Sequence, residues 1–273
     1  MATIAIAPEL QTLKSRLKQT WMAGDYHRMA RYMDHNTRDF YERLNVAPGS
    51  RLLDVACGSG ELALLAARDG VEAVGVDLAP HQVETARVQA QARGLNARFE
   101  VADAENLPFE DASFDVVVSM IGAMFAPRPD LVAKELLRVC CPGGTIAMAN
   151  WTPQGFVGQM FKVISSHIAP SGMPSPVLWG DEATVRARIG HGVSELSLRP
   201  RYYTFDFPFP PAQVVDFFAT YYGPTNQLFA SLSRDAYRNL HAELEALWFS
   251  HNRASHALTV VEAEYLEVIA IRA

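Results

Sequence analysis

Three cysteines in 273 residues, Cys57, Cys140 and Cys141, are too few for a disulfide framework, and their spacing is not that of a zinc site. Such usage implies a reducing, cytoplasmic setting. Long hydrophobic runs are also missing: the longest uncharged apolar stretch, residues 116–126, is far short of the ~20 residues a spanning helix needs. Residues 1–10 carry no basic region followed by an apolar core, so no secretory signal is expected. Positive charge is scarce. With 24 Lys and Arg against 30 Asp and Glu the net charge is −6, which argues against nucleic acid or an acidic membrane as partner. No repeat or low-complexity tract is visible. What is present is apolar material, 49% of the chain, enough for one large domain or a core with a small subdomain.

The string around which the chain is organised is Leu52-Leu53-Asp54-Val55-Ala56-Cys57-Gly58-Ser59-Gly60-Glu61. An apolar run breaks into a glycine-rich corner and a helical pattern follows: strand, tight turn, helix. Glycines let the backbone turn sharply and approach a ligand, and the helix N-terminus presents free N–H groups. Residues 58–63 also satisfy the loose dinucleotide pattern G-x-G-x-x-G/A. Charge separates the two readings. A pyrophosphate would rest at the positive end of the helix, where the Glu61 carboxylate competes with it; a ligand carrying a sulfonium and an ammonium has no such conflict. Farther on, residues 72–76 form a short apolar strand ending in Asp77, 23 positions beyond Asp54. That is close to the spacing at which a strand-end carboxylate meets a vicinal ribose diol, with Leu78 then lying against the base. An Asp there also suits a plain helix cap for the segment after Pro80.

The ten-residue string resembles motif I of the class I S-adenosylmethionine-dependent methyltransferases, with Asp54 as the acid, Gly58 and Gly60 as the later glycines and Ala56 where the first glycine usually stands. The resemblance implies a Rossmann-like, doubly wound α/β fold: a mostly parallel seven-stranded sheet with one antiparallel strand placed between strands 5 and 6. N-terminal helices and a helical insertion add a cap. It implies S-adenosyl-L-methionine as cofactor, held by Asp54, Ala56, Cys57, Gly58, Gly60, Asp77 and Leu78. Asp103-Ala104, after strand 3, match the pair that meets the adenine amino group, and Ser119 and Met120 follow strand 4. Trp21-x-x-Gly24-Asp25-Tyr26 resembles a lid segment near the methyl-transfer site, which carries Tyr26 into the cofactor set. Leu137-Arg138-Val139-x-x-Pro142-Gly143-Gly144 is a string typical of the ubiquinone/menaquinone-type members. The Asn/Asp-Pro-Pro-aromatic string of methyltransferases that act on base or glutamine amino groups is absent, and so is the acidic cluster of the metal-dependent catechol enzymes. No metal is therefore expected.

Read in order, residues 1–44 form a helical cap with helices at 8–22 and 26–44, and 45–151 form the cofactor-binding core. Residues 152–273 supply substrate-side helices and the last strands, including a helical insertion at 210–253. A helix is expected over 152–167, an irregular proline-rich loop over 169–179, and a turn at 140–144 before strand 5. Ten of the 27 aromatic residues fall within 202–229, either as subdomain core or as the wall of an acceptor pocket. Candidate substrate residues are Trp21, Met124, Trp151, His167, Tyr221 and Tyr222. The last two of these, with His167, Tyr26 and Asp25, are the places to look for a base, and none is assigned. The expected partner is a small-molecule methyl acceptor, with the chain a monomer or homodimer. Two other readings stay open: a protein that binds the cofactor without transfer or modifies a macromolecule with it, and a Rossmann oxidoreductase.

Overall fold

The structure is a computed structural model that describes residues 8–25, 28, 29, 32, 34–168 and 172–273. Tyr26, and with it part of the helix expected over 26–44, lies outside the described residues.

A seven-stranded sheet has the order β3-β2-β1-β4-β5-β7-β6. Its strands are β1 (Arg51–Val55), β2 (Glu72–Asp77), β3 (Ala97–Val101), β4 (Phe114–Met120), β5 (Cys140–Trp151), β6 (Val193–Phe207) and β7 (Thr259–Arg272). β1 to β5 pair in parallel. β7 runs antiparallel to both β5 and β6. The central strands read as nearly unbroken apolar runs because helices cover both faces, and Leu52, Leu53, Val117 and Val118 are fully buried. This is the Rossmann-like doubly wound sheet with its antiparallel strand between β5 and β6.

The helices of the core are α3 (Glu61–Arg68), α4 (Pro80–Arg93) and α5 (Pro129–Val139). Proline in the first turn of α4 and α5 occupies a position whose N–H has no helical partner, and Gly94 closes α4 in the left-handed region at φ 64°. Beyond β5 come α6 (Phe156–Ser165) and α7 (Glu182–Ile189); the stretch between β6 and β7 folds as α8 (Pro211–Tyr221), α9 (Gly223–Ser231) and α10 (Arg234–His251). At the N-terminus α1 (Pro8–Met22) and α2 (Asp34–Leu44) are described.

Three expectations need correction. The segment at 140–144 is not a turn ahead of β5 but part of it. Pairing jumps from Phe114–Cys140 to Val116–Thr145, so residues 141–144 bulge out of the strand, with Gly143 at φ 75°. The helix expected from 152 begins only at Phe156. Thr152 instead folds back, its Oγ1 accepting from the Gly155 N–H at 3.1 Å and bonding Glu264 at 2.9 Å. Within the proline-rich loop, Pro176–Gly180 winds as a short 3-10 turn that buries Trp179. Among the described residues no helix is long and apolar enough to cross a membrane.

Candidate active site

The corner after β1 is built from residues in the left-handed region: Ala56 at φ 59°, Gly58 at φ 53° and Gly60 at φ 86°. A Cβ on Gly60 would lie 2.7 Å from the Phe99 ring and 2.8 Å from Ala86, so this position must be glycine for α3 to seat on its neighbours. Ala56 accepts strain that glycine would not feel. Its methyl is accommodated from the opposite side, where a Cβ on Gly122 would meet the Ala56 carbonyl oxygen at 2.5 Å. Ile121 is also held at φ 57°, its N–H donating to the Ala149 carbonyl at 2.9 Å. Two strained non-glycine residues thus follow the ends of β1 and β4 and line the crevice there, the kind of position where strain accompanies function.

Asp77 ties this corner to β2. Its Oδ2 accepts from the Gly58 N–H at 2.9 Å and its Oδ1 from the Ala79 N–H at 2.9 Å. It therefore does order the start of α4, as a cap would, and it also lines the crevice. A carboxylate has about four lone-pair sites, so two remain for ligand hydroxyls. Burial raises its pKa against the opposing pull of those two amides. Asp54, 3% exposed, is pushed up to about 7, first by burial, with the Ala63 amide opposing and the Asp77 charge adding. A buried carboxyl with no cation acting on it among the described residues suits a cationic ligand group. Burial likewise pushes the Cys57 thiol far up, which makes it an inert apolar wall rather than a nucleophile. Glu61, at the start of α3, is held by Arg93 at 3.1 Å and keeps its carboxylate at the mouth of the site.

Asp103 lies after β3, its Oδ1 accepting from the Glu105 N–H at 2.9 Å. Lys14 of α1 reaches across to ion-pair with both Asp103 and the buried Glu105, which in turn holds Arg128 at 2.8 Å. Ser119 locks the end of β4 from below: its hydroxyl donates to the Val55 carbonyl at 2.7 Å and accepts from the Ala123 N–H at 2.9 Å.

These groups surround a cavity of about 320 Å³. Asp54, Ala56, Cys57, Gly58, Asp77, Leu78, Asp103, Ala104 and Met120 line one part of it. The rest is walled by Trp21 of α1, Phe125, Trp151, Val157, Met160 and Phe161 of α6, Tyr203 and Phe205 of β6, and Phe218 and Tyr222. Trp21 packs edge-on against Phe125 at 5.0 Å and Tyr222 at 6.2 Å, so α1 closes over the aromatic part. The aromatic segment is core and wall at once. Phe205, Phe207, Phe218 and Trp248 pack against one another, mostly edge-on or tilted, while Phe205 and Phe218 also face the cavity.

Several predicted residues stand elsewhere. Gly60 and Ser119 shape the site from behind rather than lining it. Met124, 2% exposed, belongs to the core. His167 pairs with Glu243 at 3.2 Å, outside the cavity. Tyr221 points away: its hydroxyl takes a hydrogen bond from Arg28 at 3.1 Å, whose guanidinium also stacks on the ring, and its carbonyl accepts from the Asp25 N–H at 2.8 Å. Asp25 itself accepts from the Arg28 N–H at 3.1 Å and does not line this cavity. Sequence reasoning missed Lys14, Met160 and Phe161; Phe205 and Phe218 fall within the aromatic stretch 202–229 expected as core or pocket wall. For Lys14 no local signal exists, since its partners are 89 residues away. Met160 and Phe161 sit in a segment recognisable as helical, but which face it turns inward depends on where it begins.

A family model described as a methyltransferase domain matches residues 53–148, the stretch that carries Asp54, the glycine corner, Asp77 and Asp103. An uncharacterised protein of Mycobacterium tuberculosis is 38% identical over 243 residues, 88% of either chain. The demethylmenaquinone methyltransferase of Thermus thermophilus is 39% identical over 131 residues, covering 46% of this chain and 59% of the relative. Among solved structures, the YcgJ protein of Bacillus subtilis superposes with a TM-score of 0.58 at 20% identity, covering 87% of this chain and 98% of that one. The chain belongs to the class I S-adenosylmethionine-dependent methyltransferases, and S-adenosylmethionine is its cofactor.

Proposed function

We propose that the protein methylates a small apolar or aromatic metabolite bound in the aromatic part of the cavity. The observation that carries this reading is the division of the cavity wall. Carboxylates come from the ends of β1, β2 and β3, with Lys14 of α1 on Asp103, whereas the rest of the α1 lining, α6, β6 and the end of α8 contribute aromatic and aliphatic side chains. Asp54, Asp77, Leu78, Asp103 and Ala104 would hold the cofactor, the first through its cationic groups and the second through ribose hydroxyls. The cofactor supplies a methyl group already activated by its sulfonium. The chain's residues then have to bind the acceptor, orient it and exclude water, which the aromatic wall suits.

A base is required only for an acceptor that stays protonated until it reacts. On the aromatic side of the wall the titratable groups among the described residues are Tyr203 and Tyr222. Burial pushes the Tyr222 phenol far up, so it keeps its proton at neutral pH and serves as a hydrogen-bonding group rather than a base. This favours an acceptor atom that is nucleophilic unaided: a carbon made electron-rich by its ring, an acidic phenol, or a thiolate.

The test is to incubate the protein with methyl-labelled S-adenosylmethionine and a cell extract, then separate solvent-extractable metabolites from precipitable protein and RNA. Label in the extractable fraction supports the proposal. Label confined to the precipitate would replace it with macromolecular methylation.

A further inference from the structure

A second cavity, of about 630 Å³, lies between α5, the end of α7 and the last residues of β7, and shares no lining residue with the first. In a chain of net charge −6, its lining is basic: Lys134, Arg138, Arg188 and Arg272 against a single carboxylate side chain, Asp130. The four cations are not equivalent. Every donor of Arg138 is already engaged, by the carbonyls of Leu107 and Phe109 and by Glu135 and Asp111, so it contributes little to a ligand. Arg272 spends one donor on the Cys140 carbonyl at 2.8 Å. Lys134 is exposed and, among the described residues, forms no ion pair.

Arg188 is the informative one. Its side chain is only 9% exposed, its guanidinium is stacked 4.7 Å over the buried Trp179 ring, and its Nη1 is buried with no hydrogen-bond partner. Among the described residues its one ion-pair partner, Asp130, is 4.0 Å from Nε and itself 92% exposed. A guanidinium withdrawn from water with an unmet donor is costly unless something in the cavity accepts from it. Stacking on Trp179 fixes the plane of the guanidinium, and a fixed planar fork matches the oxygens of a phosphate.

We infer that this cavity binds a phosphate-bearing anion, held by Arg188, Lys134 and Arg272. Three available cations outnumber the one carboxylate side chain of the lining, which suits an anion, and the planar fork of Arg188 suits the oxygens of a phosphate. The site is separate from methyl transfer, and its occupation does not depend on the identity of the acceptor.

The experiment is a calorimetric titration of the whole protein with inorganic pyrophosphate at constant ionic strength, on wild type, Lys134→Ala, Arg188→Lys and Arg188→Met. Wild type should bind pyrophosphate saturably. Lys134→Ala, on an exposed position, should weaken it several-fold, and Arg188→Met by roughly tenfold or more, the loss of a charge-assisted hydrogen bond. Arg188→Lys should fall between. S-adenosylhomocysteine affinity should be the same in all four, which also reports that each variant is folded. Absence of pyrophosphate binding by wild type, or binding that neither Lys134→Ala nor Arg188→Met changes, overturns the inference. So would binding of an acidic peptide in place of pyrophosphate.

Discussion

Asp54 makes the site's electrostatics measurable. Its carboxyl is pushed up from 3.8 to about 7, burial being the main cause. The direction of the consequence follows from proton counting. Between those two values the folded chain keeps a proton that the unfolded chain has lost, so this group's contribution is intact below 3.8 and stability declines as pH rises toward 7. The gap corresponds to about 4 kcal/mol, at roughly 1.4 kcal/mol per pH unit. Asp54→Asn should remove this slope, and the difference between wild type and variant isolates it from other titrating groups. Cofactor binding should act on the same proton. The ammonium of S-adenosylhomocysteine favours the ionised carboxylate, so affinity should rise with pH up to about 7 by as much as about tenfold per unit, with a proton released on binding. Calorimetry near pH 6, in two buffers of different ionisation enthalpy, reads that proton directly. Equal affinities from about pH 5.5 to 7.5, no proton release and no difference between wild type and Asp54→Asn would refute the reasoning.

Three further outcomes follow from particular contacts. Gly122→Ala places a methyl against the Ala56 carbonyl 2.5 Å away and should lower the thermal midpoint and weaken S-adenosylhomocysteine binding together; a variant with both unchanged would mean the corner is softer than its geometry. Lys14→Ala removes the ion pairs that fasten α1 to Asp103 and Glu105, and hydrogen exchange in α1 should quicken in line with a loss of about 1–3 kcal/mol, whereas unchanged protection would show the helix is held by Trp21 alone. Tyr222→Phe should change acceptor turnover with little effect on cofactor affinity, while Tyr221→Phe, which touches Arg28 outside the cavity, should leave turnover per folded molecule unchanged; the reverse pattern contradicts the assignment of the wall.

The parts of this fold that were legible in the sequence are those fixed by local chemistry. The glycine corner at 58–60 is readable because only certain residues tolerate φ 53° and φ 86°, and α4 is readable because Pro80 opens it and Gly94 closes it. Asp77 was located by its distance from Asp54, although spacing alone could not say that its carboxylate would serve the α4 start and the crevice together. The acceptor side was far less legible. Tyr221 and Tyr222 are adjacent in sequence, but α8 ends at Tyr221, and only Tyr222 lines the cavity. Lys14 acquires its place from α1 docking across the molecule, an event that no window of sequence contains.

Cofactor recognition rests most heavily on the strand-end carboxylate at Asp77 and on the identity of what it holds. A calorimetric titration with S-adenosylhomocysteine, run on wild type and Asp77→Ala with NAD as the comparison ligand, tests both. Wild type should bind S-adenosylhomocysteine saturably, Asp77→Ala at least about tenfold more weakly, since hydrogen bonds to a charged group contribute roughly 1.5–3 kcal/mol, and NAD should not bind. NAD binding to wild type, or S-adenosylhomocysteine affinity untouched by Asp77→Ala, would contradict this.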